Sequence, residues 1–159
     1  MIIVLKNNRI FATDVQESDL HHYPAEQGYD YVATGDVKPP RDADGNIIYP
    51  FDEHLMTEQL DVVKRKTASL KRRVQEYGGV EWKNPADNKT YTVATDATSQ
   101  MKVTATLVSL QAGISTSVGW KMQSGEFVTL DVAAFASLAQ AVVSHVQNAF
   151  NEEQATLQN

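Results

Sequence analysis

The chain has 159 residues, 42% of them hydrophobic, which is enough to bury a sizeable core without staples. It holds no cysteine, which excludes a disulfide framework, thiolate zinc sites and cysteine nucleophiles. A formal net charge of -6 and a pI near 5.1 argue against a general nucleic-acid binder, because duplex binding relies on a basic footprint.

At the start, the apolar run Ile2–Leu5 gives way to Lys6, too soon for a signal-peptide core or a membrane span, so synthesis in the cytoplasm is expected. Two β-prone runs, IIVL and IFAT, flank Asn7-Asn8, and Asn tolerates the positive φ of a tight hairpin turn. Asp14 is expected to cap a short helix through Asp19 and Leu20 that stops before Pro24, and Tyr29–Ala33 suits a third strand. Residues 1–35 thus form a ββαβ unit too small to be very stable alone. The window Gly35–Pro50 holds three of the five prolines and two of the eight glycines, so residues 36–54 read as a linker and a boundary.

Beyond it, residues 55–159 carry the longer patterns. Met56, Leu60, Val63, Thr67, Leu70, Val74 and Tyr77 recur at spacings of 4 and 3, the seam of a long helix that Gly78-Gly79 ends. Lys64, Lys66, Lys71 and Arg73 flank that seam, so copies set side by side in parallel would repel each other. The stripe therefore packs either on its own domain or in a bundle with other subunits. A hairpin follows, with Val80–Trp82 and Tyr91–Val93 about a turn containing Pro85 and Asp87-Asn88. Asp96 caps a helix whose apolar positions Met101, Ala105, Val108 and Ala112 recur at helical spacing, and Gly113 stops it. Trp120 anchors one arm of another hairpin, turning at Gln123-Ser124-Gly125. Asp131 then caps a last helix with the stripe Phe135, Leu138, Val142, Val146 and Ala149, and its alanines allow close approach of a neighbour. The fold class is α+β: an N-terminal hairpin-helix-strand unit, a linker, then a long helix with two β-hairpins and two further helices.

No catalytic constellation stands out. Asp42, Asp44, Asn46 and Glu53 match positions 1, 3, 5 and 12 of a calcium loop, but Ile47 replaces the turn glycine and Pro50 sits at position 9, so a solvated turn is expected. Six Lys and Arg residues gather between Lys64 and Arg73 without interleaved aromatics, the pattern of a solvated face or of a match for an acidic partner rather than of a nucleic-acid site. His21, His22, His54 and His145 lack an i, i+4 histidine companion, so no metal or cofactor is expected; His145 reads as a core-edge histidine bonded to backbone. Trp82 and Trp120 read as core anchors of their hairpins.

Several motifs carry a resemblance: Tyr77–Trp82, then Tyr91 and Thr95–Gln100, then Gly119–Lys121 with Gly125–Leu130, and finally His145–Phe150. Together they resemble a domain of tailed-phage proteins, the domain of unknown function DUF4376, over roughly residues 60–157. The opening MIIVLKNNRIFAT also looks like the start of small phage tail proteins carrying that domain. The resemblance implies an α+β fold, a place in the virion tail near the fibre or baseplate, and no carried-over catalytic residue. On this reading the protein is a non-enzymatic structural component or adaptor, whose partners are other tail proteins with homo-oligomerisation open, and neither nucleic acid nor membrane. The alternative is a tail-fibre assembly chaperone absent from the mature particle. A cell-wall hydrolase is not expected, because a glycosidase needs a positioned acid and a second carboxylate. Candidate interaction residues are Met56, Leu60, Val63, Lys64, Lys66, Leu70, Lys71, Arg73 and Val74.

Overall fold

The computed structural model describes residues 1–158 and has the expected α+β class. It divides into two compact units, one formed by Met1–Arg72 with the end of the chain from Glu153, the other by Arg73–Glu152. The division falls inside two helices, α1 (Thr57–Tyr77) and α3 (Val132–Gln158), rather than in the Pro/Gly segment.

In the first unit, β1 (Ile2–Lys6) pairs antiparallel with β2 (Arg9–Thr13) and with β3 (Tyr29–Ala33), giving the order β2-β1-β3. Asn7 and Asn8 both adopt positive φ, 53° and 59°, as the two-residue hairpin demands. The register slips between Val4 and Leu5, which leaves Phe11 as an extra residue on β2. One face of the sheet carries Ile3, Leu5 and Val32 into a cluster with Phe51 and Val63. Leu20 and Tyr31 are buried too, and the Tyr31 hydroxyl donates to the Tyr23 carbonyl.

Two expectations for this unit change. The turn of helix before Pro24 is a 3₁₀ turn over Glu17–His22, and Gln16, not Asp14, stands at its N-cap. Val15 N–H still bonds the Ile2 carbonyl, so the chain stays tied to β1 past Asp14, which is held at φ 57°. The Pro/Gly segment is also built into the core instead of bridging two bodies. Phe51 is only 3% exposed, and Val37, Ile47 and Tyr49 pack against the same cluster. Alternate residues Ile47, Tyr49 and Phe51 are apolar there, so burial outweighs the breaking tendency of the surrounding prolines.

The second unit holds two hairpins, β4 (Val80–Lys83) with β5 (Thr90–Val93) and β6 (Ser117–Lys121) with β7 (Phe127–Asp131), along with α2 (Ala97–Gln111) and most of α3. Trp82, Tyr91 and Val93 from the first hairpin, Met122 and Leu130 from around the second, and Phe135, Leu138 and Val142 from α3 share one buried cluster. Trp82 donates its indole N–H to Ser137 Oγ at 3.1 Å, while Trp120 stands edge-on to Phe135 with centroids 5.0 Å apart. A two-stranded hairpin has no stability of its own, so each depends on this shared cover.

Caps fall where the sequence places them. Asp96 accepts from the N–H groups of Thr98 and Ser99, and Asp131 accepts from Ala134 N–H at 2.8 Å. The buried face of α2, however, is Val103, Leu107 and Leu110, opposite the Met101, Ala105, Val108 and Ala112 stripe. Both faces have helical period, and the hairpin cluster takes the one that offers two leucines. Met101 and Val108 are left in solvent, at 66% and 59% exposed.

Candidate interaction site on the first helix

Helix α1 begins with half of a capping box: Gln59 Oε1 accepts from the Met56 N–H at 3.0 Å. Along it, Val63, Ala68 and Leu70 are buried and Leu60 is partly so, which turns the heptad seam onto the core of its own unit. Thr67, in the middle of the seam, accepts from Ala33 N–H through Oγ1 at 3.0 Å and so occupies the open edge of β3. A larger apolar residue there would leave that strand-edge N–H without a partner.

The nine candidate residues therefore separate. Val63 and Leu70 serve the core, and Val74, half-buried, lies in the second unit with Arg73. Met56 is 65% exposed just before the helix. Lys66 lays its stem over Gly35, where an added Cβ would come within 3.1 Å of Lys66 Cγ. Leu60, Val63, Lys64 and Lys71 come together at one groove of about 330 Å³, walled opposite by Val32, Tyr49 and Phe51, with Asp52 and Asp61 at its rim.

Much of the basic charge on the helix is matched within the chain. Lys71 Nζ lies 2.6 Å from Asp30 Oδ1, Arg72 Nε lies 2.8 Å from Glu153 Oε2, and Arg65 pairs more loosely with Asp61 at 3.8 Å. Lys64 and Lys66 make no ion pair among the described residues and point charge outward. The groove thus offers an apolar floor, the rim ammonium of Lys64 and two carboxylates, a set that binds rather than reacts. Burial, with the charges of Asp30 and Asp52, pushes the Tyr49 phenol above its ordinary value, so it is a neutral donor and no base. Sequence reasoning missed Tyr49 and Phe51 as the opposite wall; the period of two in Ile47, Tyr49 and Phe51 was the available signal.

At the residues with calcium-loop spacing, Asp42 serves its own turn. Asp42 accepts from Asn46 N–H at 2.8 Å, Asp44 N–H at 3.0 Å and Asn46 Nδ2 at 3.2 Å, bonds led by that of Asn46 that hold its carboxyl below the usual range. Its lone pairs face the amides of its own turn. Among the described residues, no group of three His, Cys, Asp or Glu side chains is placed to hold a metal, and no helix is long and apolar enough to cross a membrane.

In the second unit, the motif residues around Gly79 and Thr95–Gln100 meet in a polar knot. Thr95, fully buried, donates through Oγ1 to the Glu76 carbonyl at 2.6 Å and accepts from Gly79 N–H at 2.9 Å. Gln100 Nε2 donates to Glu76 Oε1 at 3.0 Å and to the Thr95 carbonyl at 2.8 Å. Nearby, His145 Nε2 donates to the Gln75 carbonyl at 2.8 Å, the backbone bond expected of it. Glu76 and Gln75 are the last residues before Tyr77, so these side chains satisfy carbonyls that the helix end leaves open. Gly79, at φ 89°, admits no side chain: a Cβ would come within 2.6 Å of Gln123 Oε1 and 3.2 Å of the Val93 carbonyl.

The knot accounts for motif residues as architecture. No curated protein and no solved structure matches the chain. The family model described as "Domain of unknown function (DUF4376)" matches residues 59–159, nearly two-thirds of the sequence and the whole of the second unit, and the chain belongs to that family.

Proposed function

We propose that the protein is a non-enzymatic component or adaptor of a bacteriophage tail, at the fibre or baseplate, and that α1 with its groove receives a segment of a neighbouring tail protein. The reading draws its phage context from the resemblance of the ordered motif series to tailed-phage proteins. The groove supports the contact, because its apolar floor beside Lys64 suits a short peptide with an apolar anchor and an acidic neighbour. Residence in the virion and the lack of catalysis belong to the same proposal.

Purified virions analysed by mass spectrometry should contain the protein in stoichiometric amounts. Presence in the lysate alone would replace the structural reading with that of an assembly chaperone. Reversing Lys64 and Lys66 to Glu should reduce incorporation and leave the fold intact, since exposed substitutions shift stability by only about 0.5 kcal/mol each. Co-purification with tail proteins should weaken at high salt, where exposed charge contacts are screened. Undiminished incorporation of the doubly reversed variant would remove this surface from the mechanism.

A further inference from the structure

The face of the N-terminal sheet turned away from the Ile3, Leu5 and Val32 cluster carries three aromatic rings, Phe11, Tyr23 and Tyr29, and one ammonium. Lys6 and Tyr29 are cross-strand partners on β1 and β3, and the slip in the register of β1 and β2 brings Phe11, the extra residue of β2, up to them. Tyr29 and Tyr23 both meet Phe11 edge-on, with centroids 5.3 and 6.1 Å away, which fixes its ring. Phe11 is nonetheless 54% exposed. Lys6 Nζ lies 4.4 Å from the Tyr29 centroid and 5.8 Å from that of Phe11, and it donates to the Tyr29 hydroxyl at 3.1 Å. Beside these rings, Lys6, Asn7, Arg9, Ile10 and Phe11 line an open basin of about 460 Å³.

No carboxylate in the lining answers the cations. Residues 1–13 contain no Asp or Glu, although the chain holds 20 of them and carries a net charge of -6. Lys6 is held by a ring and a hydroxyl, uncharged partners that orient it and leave its charge uncancelled, and Arg9 has no ion pair among the described residues. We infer that the basin binds an acidic saccharide, a uronate-type sugar whose ring lies on the open face of Phe11 and whose carboxylate meets Arg9 and Lys6. The face of an aromatic ring is negative and sugar C–H groups carry partial positive charge, so flat contact is favourable. The Arg9 fork matches a carboxylate, and the exposed amide of Asn7 supplies donors and an acceptor for ring hydroxyls.

Other classes of ligand fit less well. A run of nucleic-acid bases needs successive rings with free faces, and here Tyr23 and Tyr29 are half-buried and stand edge-on to Phe11. A peptide strand added to the open edge of β2 would need a regular ladder, which the slip at Phe11 interrupts. A single free ring beside Lys6 and Arg9 makes a weak site, with a Kd on the order of 1 mM. The basin shares no residue with the α1 groove, so its occupancy is independent of the tail-protein contact.

Amide NMR spectra of the isotope-labelled full chain, titrated with trigalacturonate, should show saturable shifts centred on Lys6, Asn7, Arg9, Phe11 and Tyr29, with affinity falling as salt rises. Neutral galactotriose should bind at least about tenfold more weakly. Phe11→Leu keeps apolar contact with the tyrosines but removes the aromatic face, and should weaken trigalacturonate binding at least about fivefold; Arg9→Gln should cut the preference for the acidic sugar. Both positions are exposed, and the dispersion of the same spectra shows whether each variant is folded. No shift up to about 20 mM, or an equal response from the neutral sugar or from the Phe11→Leu variant, would overturn the inference. So would tighter binding of oligothymidylate or of an oligoglutamate peptide, which would assign the basin to a nucleic-acid strand or an acidic chain segment instead.

Discussion

Replacing Thr95 by Val keeps the side-chain volume and removes one hydroxyl that works in two directions. In the wild type that oxygen donates to the Glu76 carbonyl and accepts from Gly79 N–H, with Thr95 fully buried. A buried polar group left without a partner costs about 1–3 kcal/mol. Glu76 is buried and its carbonyl lies at the end of α1, so the middle of that range, about 2 kcal/mol, applies. Gly79 is half-buried and can recruit water, which adds about 1 kcal/mol more. Thr95→Val should therefore lose about 3 kcal/mol, whereas Thr95→Ser, which keeps the hydroxyl and drops a methyl, should lose about 1 kcal/mol. Both tryptophans lie in the unit that contains the knot, so urea unfolding followed by tryptophan fluorescence reads the relevant transition. A Ser variant as unstable as the Val variant, or a Val variant within about 1 kcal/mol of wild type, would refute the hydrogen-bond account and leave packing.

Three further outcomes are expected. Trp120→Ala should cost about 2–3 kcal/mol, at or below the usual range for a buried aromatic, because the ring is only half-buried against Phe135; the same fluorescence-detected unfolding, read through Trp82, measures it. Asp96→Ala should cost about 1 kcal/mol at neutral pH; bonds led by that from the Ser99 hydroxyl hold the Asp96 carboxyl below its ordinary value, so the gap from wild type should be full above that value and vanish as acid protonates the cap. The Tyr91 phenol donates to Asp87 at 2.7 Å, which pushes its pKa up to about 12; spectrophotometric titration should show one tyrosine ionising late, Asp87→Asn should bring it down, and the contribution of this pair should fade only as pH rises past 10 toward that value.

Legibility in the sequence follows the range of the interaction. The Asn7-Asn8 turn, the Asp96 and Asp131 caps, the Gly113 stop and the α3 stripe depend on neighbours within a turn or two, and each is readable from spacing. The 3₁₀ turn was displaced because Val15 bonds back to Ile2, a contact thirteen residues away that Asp14 does not reveal. Helix α2 was ambiguous for another reason: its two opposite faces are both apolar at helical period, and only the hairpin core decides between them. The candidate groove was half visible. Leu60, Val63, Lys64 and Lys71 came from the heptad and its flanks, but the wall of Tyr49 and Phe51 lay in a segment whose prolines drew attention away from its alternation. The pairing of Lys71 with Asp30 spans 41 residues and has no local signature.

The two long helices show how charge placement separates jobs that periodicity alone would merge. Both α1 and α3 carry apolar residues at heptad spacing, and by pattern either could be the seam of a coiled coil. In α1 the seam is spent on the chain's own core through Val63 and Leu70, and Arg65, Lys71 and Arg72 among its six cations are answered by Asp61, Asp30 and Glu153. What remains outward is charge, which gives orientation and salt-sensitive contact with a different, acidic partner. In α3 the core takes Phe135, Leu138 and Val142, and the run from Val132 to Asn151 carries no Asp, Glu, Lys or Arg. Reversing Lys64 and Lys66 should therefore weaken salt-sensitive partner binding at α1 and leave the core packing of α3 unchanged. A reversed variant that bound its partner undiminished at low salt would take these cations out of the contact.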